Sequence, residues 1–205
     1  MAITINGTGT ITGLTAGGLP DGSITTDDIA ANAVTAAKLA AGAGGKILQV
    51  QSTLYTTTTS VTADGTGVDL PFSVNITPSS TSNYILVYYS LFGEPGTEPF
   101  YAGGVFSRTI NGTRSVITAP ASGNRSRKLS MLGCDSNIAD ADSTPGTIQI
   151  HGYKDSPGTT SQITYSPAVC TRVSATWYVN RTVGFTDNNY YSVGASWITV
   201  MEVAA

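Results

Sequence analysis

The chain has 205 residues, a net charge of −3 and a charged fraction of 11%, well below the roughly 25% of an average soluble domain. Its ten Lys and Arg residues give no basic surface for a phosphate backbone, which argues against a nucleic-acid partner. No apolar run approaches the roughly 20 residues that span a bilayer, so we expect no membrane span. Hydrophobic residues, at 40%, are numerous enough for a folded core.

The first segment, residues 1–20, is rich in Gly and Thr and lacks the basic and apolar regions of a secretion signal. We therefore expect synthesis in a cytoplasm, without export by a standard signal. The segment has too few large side chains to build a core, so we predict an arm that docks on a partner protein. The large apolar side chains that would make this contact are Ile3, Ile5, Ile11 and Leu14.

A ten-residue unit is written twice within residues 22–40, and its large apolar residues recur every five positions. These residues are Ile24, Ile29, Val34 and Leu39. The spacing fits neither a helix, on which residues five apart lie ~140° out of phase, nor a strand, whose faces alternate. It indicates a short extended piece followed by a helical turn that Thr25 or Thr35 caps. A single amphipathic helix over 26–41 is the alternative.

A repeat of this length cannot bury its own apolar side chains, and two copies are too few for a solenoid. We therefore predict that residues 21–44 form a short stalk in a homotrimer. In this stalk, identical chains would place the four apolar residues of the repeat around a shared axis. Gly42, Gly44 and Gly45 would end the stalk as a flexible joint.

The remaining residues, 45–205, have the composition of an all-β head, with Thr, Tyr and Val in short runs between Gly, Pro, Asn and Asp. We predict a jelly-roll-like antiparallel β-sandwich. Residues 84–92 are almost continuously apolar, which indicates a central strand covered by the core on one face and by a sister chain on the other. The last strand must pair inside a sheet. The predicted strands are 46–55, 57–63, 72–77, 83–92, 100–109, 114–118, 146–153, 162–165, 172–179 and 195–203.

The head offers little for catalysis. Its one histidine, His151, follows Ile148 and Ile150, which we expect to face inward, so His151 faces outward with Gln149. No nucleophile elbow accompanies it. We expect no enzymatic activity, no catalytic residue and no cofactor.

Acidic residues and cysteines are sparse. Asp135, Asp140 and Asp142 share a segment whose oxygens could bind Ca²⁺, but the segment lacks the spacing of an EF-hand. We favour a solvated loop and predict no metal site. Cys134 and Cys170 are expected to be reduced thiols, with a disulfide possible only if the two converge in space.

Aromatic side chains among Asn, Asp, Ser and Thr are the candidate ligand contacts of the head. Planar rings stack on sugar faces or anchor protein contacts, and Asn amides hydrogen-bond hydroxyl groups. We favour a core position for Trp177, whereas an exposed tip and an inter-subunit contact both stay open for residues 185–191. The candidate binding residues are Tyr153, Phe185, Asn188, Asn189, Tyr190 and Tyr191.

Two stretches resemble the small fibre or appendage proteins of tailed bacteriophages, especially marine and cyanobacterial phages. Residues 21–40, D-G-S-I-T-T-D-D-I-A-A-N-A-V-T-A-A-K-L-A, resemble the shaft repeats of such fibres. The segments 45–51, 76–82 and 196–203 are similar to parts of a phage β-sandwich module. The resemblance implies a trimeric knob and a place in a virion.

The favoured function is therefore a short trimeric tail fibre that binds polysaccharide on the host surface. Its partners would be its own chain and, through residues 1–20, other proteins of the tail, baseplate or capsid. The alternative is a capsid decoration or cement protein that is anchored through the same arm. A glycan-cleaving tailspike is the third possibility. It would need two closely placed carboxylates, and the sequence supports it least.

Overall fold

The computed structural model describes residues 25, 27, 29–31, 33–35, 38, 45–96, 102–133 and 143–205. The chain divides into two compact units, residues 1–44 and residues 45–205. The proposed docking residues, Ile3, Ile5, Ile11 and Leu14, lie outside the described residues, as do Ile24 and Leu39 of the repeat.

The described residues of the repeat include a helical turn in each of the two copies. The amide N–H of Lys38 donates to the carbonyl of Thr35 over 2.9 Å, and Asp27 and Lys38 lie in 3₁₀ turns. Ile29 and Val34 lie in bends between these turns, and both side chains are exposed. The alternative of one continuous helix over 26–41 is wrong for the described residues, because the spacing of five puts successive apolar groups on different sides of a helix.

The head is all β in its described part, as predicted. Its strands are β1 (Ile47–Tyr55), β2 (Thr59–Ala63), β3 (Val68–Asp69), β4 (Val74–Ile76), β5 (Tyr84–Pro95), β6 (Gly103–Ile110), β7 (Thr113–Ile117), β8 (Ser130–Met131), β9 (Gly146–Asp155), β10 (Ile163–Cys170), β11 (Ala175–Val179) and β12 (Ser196–Val203).

Two antiparallel sheets of six strands form the head. The first sheet has the order β1-β12-β5-β11-β2, and β9 also pairs with β5. The second sheet has the order β3-β10-β6-β7, with β4 pairing with β10 and β8 with β6. A two-residue turn at Asn111 and Gly112, both with positive φ, joins β6 to β7, as type I′ hairpin turns require.

The core lies between the two sheets and follows the period of two along each strand. In β12, Ile198 and Val200 are fully buried and alternate with half-buried neighbours. Trp177 is fully buried, which confirms its predicted core position. The last strand lies between β1 and β5 and is therefore paired on both sides, as predicted.

A second, smaller cluster lies on the other side of the second sheet. It contains Val105, Ala168 and Cys170, with Val116 packed against them. Cys170 is a free thiol, and burial raises its pKa. Cys134 lies outside the described residues, so the expectation of two reduced thiols is met for Cys170.

All ten predicted strands are present, with shifted ends. Strand β10 is longer than the predicted 162–165 because it continues through Pro167, a residue that usually argues against a central strand. The missing N–H of Pro167 is tolerated there, and its carbonyl accepts from the amide of Leu70 over 2.8 Å. The two-residue strands β3 and β8 were not predicted, since such short pairings leave no periodic pattern.

Candidate functional site

The candidate site is the segment between β11 and β12, which we call the 181–194 loop. Asn180 forms its base and has a positive φ of 59°. Its buried side-chain amide donates to the carbonyls of Tyr55 and Thr57, at 2.8 and 3.1 Å, and accepts from the hydroxyl of Ser196 at 2.7 Å. A buried amide with all these partners fixes the point from which the loop leaves the sheet.

The two ends of the loop pair with each other. Arg181 and Val193 form an antiparallel bridge. The amide of Thr182 donates to the carbonyl of Ser192, and that of Gly194 donates to the carbonyl of Asn180. The two ends of the loop therefore lie side by side next to the sheet, and hydrogen bonds between residues 180–182 and 192–194 hold its tip in place.

A buried carboxylate also holds the loop. Glu94, at the end of β5, accepts from the amide of Val183 over 2.8 Å and, through its other oxygen, from the amide of Thr144 over 2.9 Å. Hydrogen bonds to an ionised acceptor are stronger than neutral ones. Glu94 thus fastens the 181–194 loop and the segment before β9 to one point of the first sheet.

Arg181 lies between two aromatic rings. The centre of its guanidinium group is 4.4 Å from the ring of Tyr178 and 4.9 Å from the ring of Phe185. It also donates to the carbonyls of Thr182 and Val183. Cation–π contacts of this kind contribute about 0.5–1 kcal/mol when exposed. Arg181 therefore supports the ring of Phe185 from beneath.

The tip is a tight turn that begins at Asn188. The side chain of Asn188 accepts from the amide of Tyr190 over 3.1 Å, and its carbonyl accepts from the amide of Tyr191. The ring of Tyr190 is 75% exposed, while Tyr191 folds back over Gly184. A Cβ at Gly184 would lie closer than 3.0 Å to the Tyr191 ring, so only glycine permits this contact.

A shallow pocket of about 360 Å³ opens at the tip. Its lining includes Phe185, Asn188, Tyr191, Ser192 and Val193. Aromatic rings beside amide and hydroxyl groups are the combination that can stack on an apolar sugar face and hydrogen-bond its hydroxyls.

Five of the six candidate binding residues lie in this loop: Phe185, Asn188, Asn189, Tyr190 and Tyr191. The sixth, Tyr153, does not lie in this loop. Tyr153 lies in β9, half-buried, and its ring meets that of Phe106 edge to face at 5.2 Å. The ring packs against the core because the alternation of β9 shifts at Gly152, which has a positive φ.

Sequence reasoning missed the residues that hold the loop, namely Asn180, Arg181 and Glu94. Asn180 directly follows a strand, and Asn adopts a positive φ more readily than most residues, so a turn signal was available. Glu94 gave no such signal, because its partners lie 50 and 89 residues away along the chain.

The structure gives the other singled-out residues no shared site. His151 is exposed, and its Nε2 lies 3.2 Å from the Oε1 of Gln149, which confirms that both face outward. Within the described residues, no three His, Cys, Asp or Glu side chains lie close enough to hold a metal ion. Asp135, Asp140 and Asp142 lie outside those residues. In the same described part of the chain, no helix is both long and apolar enough to cross a membrane.

No protein-family model matches this chain, and no curated protein matches it. Among solved structures it is similar to the VP2 subviral particle of infectious bursal disease virus, with a TM-score of 0.33 and 13% identity over 77% of this chain and 38% of that chain. The Gt strain of the same virus gives a TM-score of 0.32 and 13% identity over 78% of this chain and 40% of that chain. This chain thus spans about two fifths of the VP2 chains it matches.

Proposed function

We propose that this chain is a structural component of a virion, a fibre-like appendage whose 181–194 loop contacts polysaccharide on the host surface. One observation carries the proposal: the head holds exposed aromatic rings, Phe185 and Tyr190, on a loop whose base is fixed by buried hydrogen bonds. The hydrogen bonds of Asn180 and Glu94 hold the loop before a ligand arrives, and this reduces the entropy cost of ordering the loop on binding.

Several copies of a weak site bind a surface far better than one copy does. Linking sites raises avidity through effective concentration without any new contact. A homotrimeric appendage with one loop per head would use this effect. Residues 1–20 would attach it to other virion proteins.

The location on the particle tests the first half of the proposal. Gold-labelled antibody against the head is expected to mark the tails of intact particles in electron micrographs. If the label is distributed over the capsid, the protein has a capsid decoration role and not a role in host attachment. Absence of label from purified particles would overturn the virion role altogether.

Binding of the loop variant Tyr190→Ala tests the second half. The Tyr190 side chain is the most exposed of the loop's rings and has no hydrogen-bond partner in the fold that the variant would remove. Loss of a binding aromatic typically costs more than 1 kcal/mol, so we expect affinity for host polysaccharide to fall about tenfold per head.

The matched control is Val173→Ala, an exposed apolar residue in the connection between β10 and β11. It should bind as the unchanged protein does. Equal binding by Tyr190→Ala and Val173→Ala would contradict the assignment of this loop.

A further inference from the structure

The outer face of the first sheet is apolar across three neighbouring strands. In the antiparallel register, Val50 of β1 lies opposite Met201 of β12, which lies opposite Leu86 of β5. Leu54 lies opposite Trp197 in the same way. The alternate residues of β12, Ile198 and Val200, are fully buried in the core, so the first set points away from it. We call this set, with Tyr84 and Tyr88 of β5, the apolar face.

Among the residues that the structure describes, none covers the β1 part of the apolar face. Val50 is 50% exposed and Leu54 is 66% exposed. Ile47 and Leu48, at the start of the same strand, are also exposed. An exposed, long, apolar strand at a sheet edge is a template for association unless a partner covers it.

The outer face of the second sheet is different. Thr164 of β10 lies opposite Asn75 and Thr109, and Thr109 lies opposite Arg114. The apolar cluster on this side, Val105 and its neighbours, is buried within the chain, and Met131 of β8 is the exposed apolar residue beside it. The outer face of the second sheet is therefore mostly polar, whereas the outer face of the first sheet exposes apolar side chains.

We infer that the apolar face is a contact surface between copies of this chain. Symmetric association brings equivalent surfaces together, and like charges meeting across an interface weaken it. Within the described residues, β1 carries no charged side chain, and the acids of β12 and β5, Glu202 and Glu94, are buried. Lys154 of β9 lies 4.2 Å from the centre of the Tyr84 ring, at the border of this face.

Chain order supports a copy of the same chain as the partner. In the described part of the repeat, Ile29 and Val34 are exposed, at 43% and 55%, so these two apolar side chains are also open to a partner. Strand β1 begins at Ile47, two residues after Gly45 opens the second unit. Only 12 residues separate Val34 from Ile47 in the sequence, so association of copies through the repeat would raise the local concentration of their β1 strands.

The oligomeric state of the full chain tests this inference, whatever the location of the protein. The variant Leu54→Glu places a charge in the apolar face. Gln51→Glu is the matched control. Gln51 is an exposed residue of the same strand, but it lies opposite the core residue Val200 and is therefore not part of the apolar face. In sedimentation equilibrium, we expect the unchanged chain and Gln51→Glu to form the same oligomer, and Leu54→Glu to raise its dissociation constant at least tenfold.

Chemical cross-linking gives a second measurement that does not depend on a charged substitution. Ser52 lies between Val50 and Leu54 and hydrogen-bonds Thr199 across the strands. In Ser52→Cys, a short bismaleimide should link two chains, whereas Thr62→Cys on β2 should stay unlinked. A monomeric native chain would overturn the inference. So would an oligomer that Leu54→Glu leaves intact and Ser52→Cys does not link, since the repeat alone would then hold it.

Discussion

Glu202 is a fully buried carboxylate that ties the end of β12 to the loop before β5. It accepts hydrogen bonds from the side chains of Gln49, Ser79 and Asn83 and from the amide of Ser79, all between 2.6 and 2.7 Å. Burial raises the pKa of Glu202, but the donated hydrogen bonds outweigh burial and lower that pKa below its ordinary value. The charged form is therefore the one that the folded head stabilises.

This shift predicts how acid affects the head. Because the folded pKa of Glu202 lies below its unfolded value of about 4.3, its contribution to stability is present above that pH and is lost as pH falls through the lower folded pKa. Glu202→Gln should cost about 1–3 kcal/mol at pH 7, since it leaves donors of the cluster poorly paired. Urea unfolding of both proteins should show this difference shrinking below about pH 4.

Asp187→Asn, an exposed change in the 181–194 loop, is the control and should follow the unchanged protein at every pH. A constant difference between Glu202→Gln and the unchanged protein from pH 7 to pH 3 would contradict the assigned role of the carboxylate.

The residue scale is also where the sequence predicted least. Burial of Trp177 was favoured from the sequence, whereas an exposed tip and an inter-subunit contact both stayed open for Tyr190. The hydrogen-bond partners of Glu202 and Glu94 could not be predicted, because the local sequence around a carboxylate does not show whether water or distant amides surround it. Gln49 and Glu202 lie 153 residues apart, a separation that only the sheet order closes.

Among the elements, β5 organises the head. It pairs with β12, β9 and β11, and its residues Ile85, Val87 and Tyr89 are fully buried while Tyr84, Leu86 and Tyr88 are half-buried. The near-continuous apolar run thus predicted its central place correctly. The prediction that a second copy of the chain covers the outer face of β5 stays a prediction. The apolar face is the surface on which that copy would pack.

The close approach of the two sheets depends on Gly104 in β6. A Cβ at this position would lie closer than 3.0 Å to Ile148 of β9 and to the hydroxyl of Tyr89 in β5. That hydroxyl donates to the carbonyl of Val105 over 2.8 Å. We expect Gly104→Ala to lower the free energy of unfolding by about 1–3 kcal/mol, as overpacked cores do.

Gly65→Ala is the comparison variant, because its Cβ would make an ordinary 3.7 Å contact with the carbonyl of Thr171. Urea unfolding midpoints measure both. Equal midpoints for Gly104→Ala and Gly65→Ala would show that the sheets can separate without loss.

At the scale of the whole molecule, the fold class and the positions of most strands along the chain could be predicted, since both follow from periodicity and turn residues. The division of strands between two sheets could not, because a period of two says which face a residue occupies and nothing of which strand lies beside it. The candidate loop was located by its aromatics, whereas its anchoring depends on contacts between distant strands.

Association through the apolar face predicts a concentration-dependent thermal midpoint. Because an oligomer gains stability by mass action, a hundredfold rise in protein concentration should raise the midpoint by roughly 5–10 °C. Leu54→Glu should weaken this dependence and Gln51→Glu should keep it. Differential scanning calorimetry at two concentrations measures the effect, and a midpoint independent of concentration for the unchanged chain would count against it.

The position of β12 between β1 and β5 has a consequence during synthesis on the ribosome. β1 ends at Tyr55, and the strand it pairs with begins at Ser196, so at 5–20 residues per second β1 waits on the order of ten seconds for its partner. Throughout that interval the nascent chain exposes Val50 and Leu54 without the neighbour that flanks them in the finished sheet. Translation speed and chaperone supply, rather than final stability, would then limit how much of this protein reaches its assembled form.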